Sequence, residues 1–135
     1  MDELPDWEPG TAAVLAVSGP RAIPVSTAVR IAPDRIAFAL ARTRETLSRL
    51  RDDPRAALCL FAPGVCLTAY GRVTVVREAM DSSDRVAALE LVVERVQDHL
   101  EGARTAIHDA VRWSWTEQEA AEADRAIREE LAALG

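Results

Sequence analysis

The sequence predicts a mainly β fold, a six-stranded β-barrel with one short inserted helix and a C-terminal α-helix. Three observations carry this. Short runs rich in Val, Ile, Leu and Thr recur between Gly, Pro and Asp turn signals. The strand pattern is interrupted once, around Leu47 and Leu50, by helical spacing. The chain ends in a long apolar stripe of helical period. Many short strands in a small chain favour a rolled sheet, because closure removes exposed edges.

Residues 1–10 hold Pro5, Pro9, Gly10 and a lone Trp7, which predicts an extended arm whose indole packs on the body. Residues 11–18 are apolar on both parities, so the first strand is expected to be buried on both faces. Gly19-Pro20 turns the chain, and residues 22–31, rich in Val, Ile and Thr, form the second strand. Pro33-Asp34 turns it again into a third strand over 36–41. Thr43 is the expected N-cap of the short helix, which Asp52-Asp53-Pro54 ends. Residues 56–62 and 65–77 form strands four and five around a Pro63-Gly64 hairpin turn. Gly71 within the fifth predicts a bulge or bend. Residues 86–96 fit a helix or a strand, and valine density selects a sixth strand. Residues 97–112 read as irregular. Thr116-Glu117-Gln118-Glu119 matches a capping box, opening a helix over 116–134 with Ala120, Ala123, Ile127, Leu131 and Leu134 on its apolar face. Asp124 and Arg128 stand at ion-pair spacing. Nothing divides the chain, so a single domain over 1–135 is expected.

Composition narrows the chemistry. The 135 residues contain 16 Arg and no Lys against 22 Asp plus Glu, for a net charge of −6. Without lysine there is no Schiff base to pyridoxal phosphate and no Gly-Lys-Ser/Thr phosphate loop. The acidic balance, with three Trp, two Phe and one Tyr, opposes a nucleic-acid partner, which needs a basic groove with stacking platforms. No apolar run approaches a membrane span, and the acidic N-terminus is unlike a signal peptide, so no membrane partner and a cytoplasmic location are expected. Cys59 and Cys66 would not face each other across the hairpin, and His99 and His108 form no metal spacing with them. Free thiols and no metal follow.

The run Ile23-Pro24-Val25-Ser26-Thr27, the turn near Asp34, the strand Ile36-Ala37-Phe38-Ala39-Leu40, the helix and the stretch Leu50-Arg51-Asp52-Asp53-Pro54-Arg55-Ala56-Ala57-Leu58 resemble the pyridoxamine 5'-phosphate oxidase-like split β-barrels. Leu91-Val92-Val93-Glu94-Arg95-Val96 resembles a late barrel strand of that family. The resemblance covers residues 8–100. It implies a six-stranded split β-barrel that pairs as a homodimer, with cofactor clefts at the seam. It implies FMN, or a deazaflavin coenzyme in some relatives, and haem in a few. Oxidoreductase action on a small organic substrate follows from it. The alternative is a non-catalytic cofactor-binding or cofactor-less barrel.

A flavin phosphate requires oriented N–H donors and positive charge, which a helix N-terminus and arginines supply. Arg42, Thr43, Arg44 and Thr46 open the predicted helix and are the candidate phosphate ligands. Arg49, Arg51 and Arg55 extend the local arginine cluster. Relatives often carry Arg-Lys where this chain has Glu45-Thr46, so Arg42 or Arg44 would compensate from one turn earlier. The resemblance also places Ser26, Thr27, Ala28 and Val29, with Ala39 and Leu40, beside the flavin ring. Trp113 and Trp115 point the same way on an extended segment, either walling a planar ligand or stapling the C-terminal helix. No proton donor or catalytic residue is singled out.

Overall fold

The computed structural model describes residues 3–102 and 104–135. The first two residues of the expected arm, and residue 103 of the expected irregular connection, lie outside the described residues. In chain order the elements are β1 (Ala13–Val17), β2 (Arg21–Val25), β3 (Val29–Ala32), β4 (Arg35–Ala41), α1 (Glu45–Asp52), β5 (Arg55–Ala62), β6 (Val65–Arg77), β7 (Val86–Asp98) and α2 (Gln118–Ala132). The strands form one seven-stranded sheet in the order β2-β1-β5-β6-β7-β4-β3, and every pairing is antiparallel.

The count is seven, not six, because the expected second strand breaks in two at Ser26-Thr27-Ala28. Its halves lie at opposite edges of the sheet. Four residues of chain reach at most about 14 Å, so the sheet must roll until its edges nearly meet. No ladder closes the gap, so this is a split-barrel-like open sheet and not a closed barrel. Thr27 spans the split with its side chain. Its hydroxyl accepts from Ala39 N at 3.0 Å and lies 3.5 Å from Ala39 O. Val29 pairs with Ala37, so residue 27 stands where a further ladder partner of Ala39 would fall, and a hydroxyl replaces the missing backbone bond.

Alternation then sorts the side chains. Leu15, Ile36, Phe38, Leu58, Leu60, Leu67, Leu89 and Leu91 fill the inside of the roll, each 1% exposed or less. Burial of each such side chain stabilises the fold by roughly 1.5–3 kcal/mol. Leu47 and Leu50 of α1 join this core. Strand β1 is not buried on both faces. Ala13, Leu15 and Val17 point inward while Val14 and Ala16 are exposed. Beside Val14 and Ala16 in register lie Cys59 and Ala57 of β5. Phe61, on the same parity, is 42% exposed.

The ambiguous segment 86–96 is a strand, β7, which runs on to Asp98. Gly71 sits at the β6–β7 register shift, where any Cβ would collide with the Val92 carbonyl. The cysteines are free, with Cys59 opposite Thr68 and Cys66 opposite Phe61. Burial, helped by the nearby Cys59 and Asp98, pushes the Cys66 thiol up.

Helix α2 covers the outer face of β3 and β4. Leu131 is fully buried on Ala37 and Ala88, with Ile127 and Leu134 beside it. The alanines allow this close approach. Ala123 is exposed, and Asp124 is the buried residue on that side. Arg128 Nε lies 2.9 Å from Asp124 Oδ2, without the angle of a hydrogen bond. The N-cap is Glu117, and no side chain caps the helix, so the box expected at Thr116 does not form. Trp7 Nε1 donates to Ala28 O at 3.0 Å, docking the arm. Trp113 Nε1 donates to Gly10 O at 2.8 Å and meets Trp115 edge-on at 5.6 Å.

Candidate functional site

The candidate residues gather where β4 leaves the sheet and α1 begins. Arg42 N donates to Arg85 O, and Arg44 N donates to Ala41 O. These backbone bonds set the turn, so the helix starts at Glu45 with Arg44, not Thr43, as N-cap. No side chain caps α1. The N–H groups of Glu45 and Thr46 therefore open the helix without an intrahelical acceptor.

A shallow groove of about 150 Å³ lies along the split, lined by Pro24, Val25, Ser26, Thr27, Ala39, Leu40, Ala41 and Arg44. It brings together five of the expected site residues, Ser26, Thr27, Ala39, Leu40 and Arg44. Arg42 and Thr43 line the neighbouring hollow with Ala41, Asp84 and Arg85. Three candidates lie elsewhere. Ala28 is fully buried in the core. Val29 packs under α2. Thr46 is fully buried, and its hydroxyl accepts from Arg21 Nε at 3.2 Å.

The arginine cluster divides by charge pairing. Glu45 holds Arg21 and Arg49, each at 3.1 Å. Glu78 binds Arg51 through both oxygens at 3.1 and 2.6 Å. Arg51 thereby holds the Glu78 carboxyl below its ordinary range, with Arg42 adding to the effect. Asp53 takes Arg55 Nε and Nη2 at 3.0 and 2.8 Å, and Ser18 Oγ at 2.7 Å. These bonds, Arg55 first, hold its carboxyl far below the carboxylate range. The Asp53-Pro54-Arg55 stretch thus clips the β1–β2 turn to the end of α1. Among the described residues, the side chains of Arg44 and Arg85 have no ion-pair or hydrogen-bond partner. Arg42 uses only Nη1, on the Asp84 carbonyl at 3.0 Å. Among the described residues, three guanidinium groups around Ala41 are therefore without carboxylate partners in an acidic chain. Arg85 was not foreseen. It reaches the site only through the β4–β7 register, in which Ala41 pairs with Val86.

Among the described residues, no carboxylate, imidazole or phenol lines the groove. His99 is exposed and shares a 2.8 Å hydrogen bond with Thr68, a partner the sequence did not reveal. Among the described residues, no group of three His, Cys, Asp or Glu side chains is placed to hold a metal, and no helix is long and apolar enough to cross a membrane.

No family model matches the sequence, and no curated protein matches it. Solved structures do match in shape. A candidate pyridoxamine 5'-phosphate oxidase from Lactobacillus delbrueckii superimposes with a TM-score of 0.60 at 12% identity, over 72% of this chain and 95% of that one. Another from Listeria innocua gives 0.55 at 14%, over 66% and 88%. An FAD-binding protein from Mesorhizobium loti gives 0.54 at 12%, over 64% and 83%. With its rolled antiparallel sheet and the helix between β4 and β5, the chain has the pyridoxamine 5'-phosphate oxidase-like split-barrel fold.

Proposed function

We propose that this chain binds a flavin-type cofactor, FMN or a deazaflavin coenzyme, and serves as a cytoplasmic oxidoreductase on a small organic substrate. The observation that carries this is Arg44. It lies without a partner among the described residues at the uncapped start of α1, in the same groove as the Ser26 and Thr27 hydroxyls. This donor set fits a phosphate: the Arg44 guanidinium and the Ser26 side chain line the groove, and the N–H groups of Glu45 and Thr46 open the helix that follows Arg44. Ala39 and Ala41 put small side chains in the groove lining, which favours a planar ring. An FAD-binding neighbour of the same fold adds support.

The groove of one chain, about 150 Å³, is smaller than the roughly 300–1,000 Å³ of pockets that enclose ligands. A second copy would supply the missing wall. The exposed apolar row of Val14, Ala16 and Phe61 supports a homodimer. When bound, the flavin supplies the hydride chemistry, and the protein supplies orientation and charge.

One observation favours a second reading, a cofactor carrier without turnover or a cofactor-less barrel. Among the described residues, no carboxylate, imidazole or phenol in the groove can move a proton, and Glu45 sets a carboxylate beside the phosphate donors. Absorbance and mass spectrometry of the purified protein, then titration with FMN and a deazaflavin, test the reading. Micromolar or tighter binding of either is expected, and no binding of either refutes it. Arg44→Ala should weaken FMN by about 1–3 kcal/mol, the range of a charge-assisted hydrogen bond, and leave riboflavin unchanged. Turnover with a nicotinamide donor separates enzyme from carrier.

A further inference from the structure

We infer that the hollow beside the tip of the β5–β6 hairpin is a second binding site, one that takes a small organic ammonium ion with an apolar or aromatic body. It shares no lining residue with the groove along the split, so the inference stands apart from the flavin reading.

The hollow measures about 470 Å³, within the roughly 300–1,000 Å³ of pockets that enclose ligands. Its walls are the arm around Trp7, the hairpin with Phe61 and Val65, and Ala110 and Val111 of the segment before α2. Local bonds hold each wall. Glu8-Pro9-Gly10-Thr11 forms a turn in which Gly10 takes a φ of 82° and Thr11 N donates to Glu8 O at 3.2 Å. Trp7 Nε1 on Ala28 O anchors the arm, and Trp113 Nε1 on Gly10 O ties it to the segment before α2. Gly64 N donates to Ile107 O at 3.2 Å and ties the hairpin to the same segment.

Charge selects the ligand. Asp6 and Glu8 line the hollow, and among the described residues no cationic side chain does. Asp6 is offset by Arg30 at 3.5 Å. The Glu8 side chain has no ion-pair or hydrogen-bond partner among the described residues. Arg128 reaches Gly10 but is paired with Asp124. A carboxylate without a counter-charge next to an indole suits an ammonium group, which gains an ion pair and a cation–π contact together. Phe61, 42% exposed, and Val111, 72% exposed, leave apolar surface for the body of the ligand. A carboxylic acid or a phosphate ester would meet like charge.

The test follows the Trp7 indole N–H resonance, assigned with Trp7→Phe, while the full chain is titrated with phenethylamine, phenethyl alcohol and hydrocinnamate. Phenethylamine should bind about tenfold tighter than hydrocinnamate. Glu8→Gln should weaken the amine about threefold, the scale of an exposed ion pair, and leave the alcohol unchanged. Val111→Arg adds a cation to the wall and should reverse the preference. Both positions are exposed, so circular dichroism of these variants should match the wild type. Phe61 also ends the apolar row of the homodimer reading and is left in place. Saturating FMN should leave the amine affinity within about twofold. Hydrocinnamate binding as tightly as the amine overturns the inference, as does a Trp7 signal that no probe moves. So does a Glu8→Gln loss that falls equally on the alcohol, or competition by FMN. Failure of FMN to bind removes the flavin reading and leaves this one standing.

Discussion

Replacing Glu130 by Gln removes the charge of a latch between α2 and the loop before β7. Its carboxylate accepts from Arg77 Nη1 at 2.6 Å, Asp81 N at 3.0 Å and Ser82 N at 2.7 Å. Its side chain is 12% exposed. Burial alone would raise its pKa. The hydrogen bonds from Ser82, Asp81 and Arg77 outweigh burial and hold it at about 2, against an ordinary value of 4.5. A native pKa below the unfolded one means that the ionised form stabilises the fold. That contribution is complete above about pH 4.5 and fades as the pH falls toward 2. A shift of this size corresponds to at most about 3 kcal/mol. Partial solvent screening of the Arg77 pair lowers the expectation to about 2 kcal/mol.

The assay is urea unfolding of wild type and Glu130→Gln at pH 7, 5 and 3.5. Near pH 7 the variant should be less stable by about 2 kcal/mol. The difference should shrink by about a third to a half at pH 3.5, because the carboxyl is then largely protonated in the unfolded chain but still ionised in the folded one, so unfolding takes up a proton. A difference below about 0.5 kcal/mol at pH 7, on the scale of a surface pair, would refute the reasoning. So would a difference that does not change with pH.

Thr27→Val keeps the shape of the side chain but removes the hydroxyl that holds Ala39 across the split. A loss of about 1–2 kcal/mol is expected from one hydrogen bond and one buried N–H left bare, read from the urea midpoint; unchanged stability would show that the split is held by packing alone. Phe61→Glu places a charge on the exposed apolar row, where Phe61 is 42% exposed, and should convert a dimer into a monomer in light scattering. A wild-type chain that is monomeric at tens of micromolar would remove the dimer from the proposal.

Much of the strand plan was legible because its signals are local. Pro63-Gly64 and Pro33-Asp34 mark turns wherever they occur, and the Gly71 irregularity follows from a strand that lacks one side chain. The break at residues 26–28 was not legible, since Val25 to Ile31 is rich in strand-forming residues on propensity alone. A tertiary event decides it: the chain changes edges there, and the Thr27 hydroxyl takes over a backbone role. The helix caps failed for a related reason. Thr43 and Thr116 have the right chemistry, but the exit of β4, tied by Arg42 N to Arg85 O, fixes where α1 can begin. Strand β1 misled because its apolar outer face is bare in a single chain. In the candidate site, the helix start and the groove strands were readable from order along the chain. Arg85 was not, because only the pairing of β4 with β7 makes it a neighbour of Arg42.

The charge of the whole chain and the charge of the site act over different distances, and this decides how a phosphorylated ligand is felt. A net charge of −6 repels a dianion at long range. At physiological salt that field is largely screened beyond about 8 Å. Under the flavin reading, contacts from Arg44 and Arg42 would act inside that length, on elements whose places are fixed by the core. Leu47 and Leu50 seat α1, and Leu40 and Ala87 lock β4 against β7. Lower salt therefore has two opposing effects. It strengthens attraction at the groove, and it extends the repulsion that slows a ligand's approach. A protein that recognised anions through its overall field would need the opposite net charge. The proposed binding therefore depends on local geometry, on a few guanidinium groups without carboxylate partners among the described residues and on the backbone bonds that hold them together.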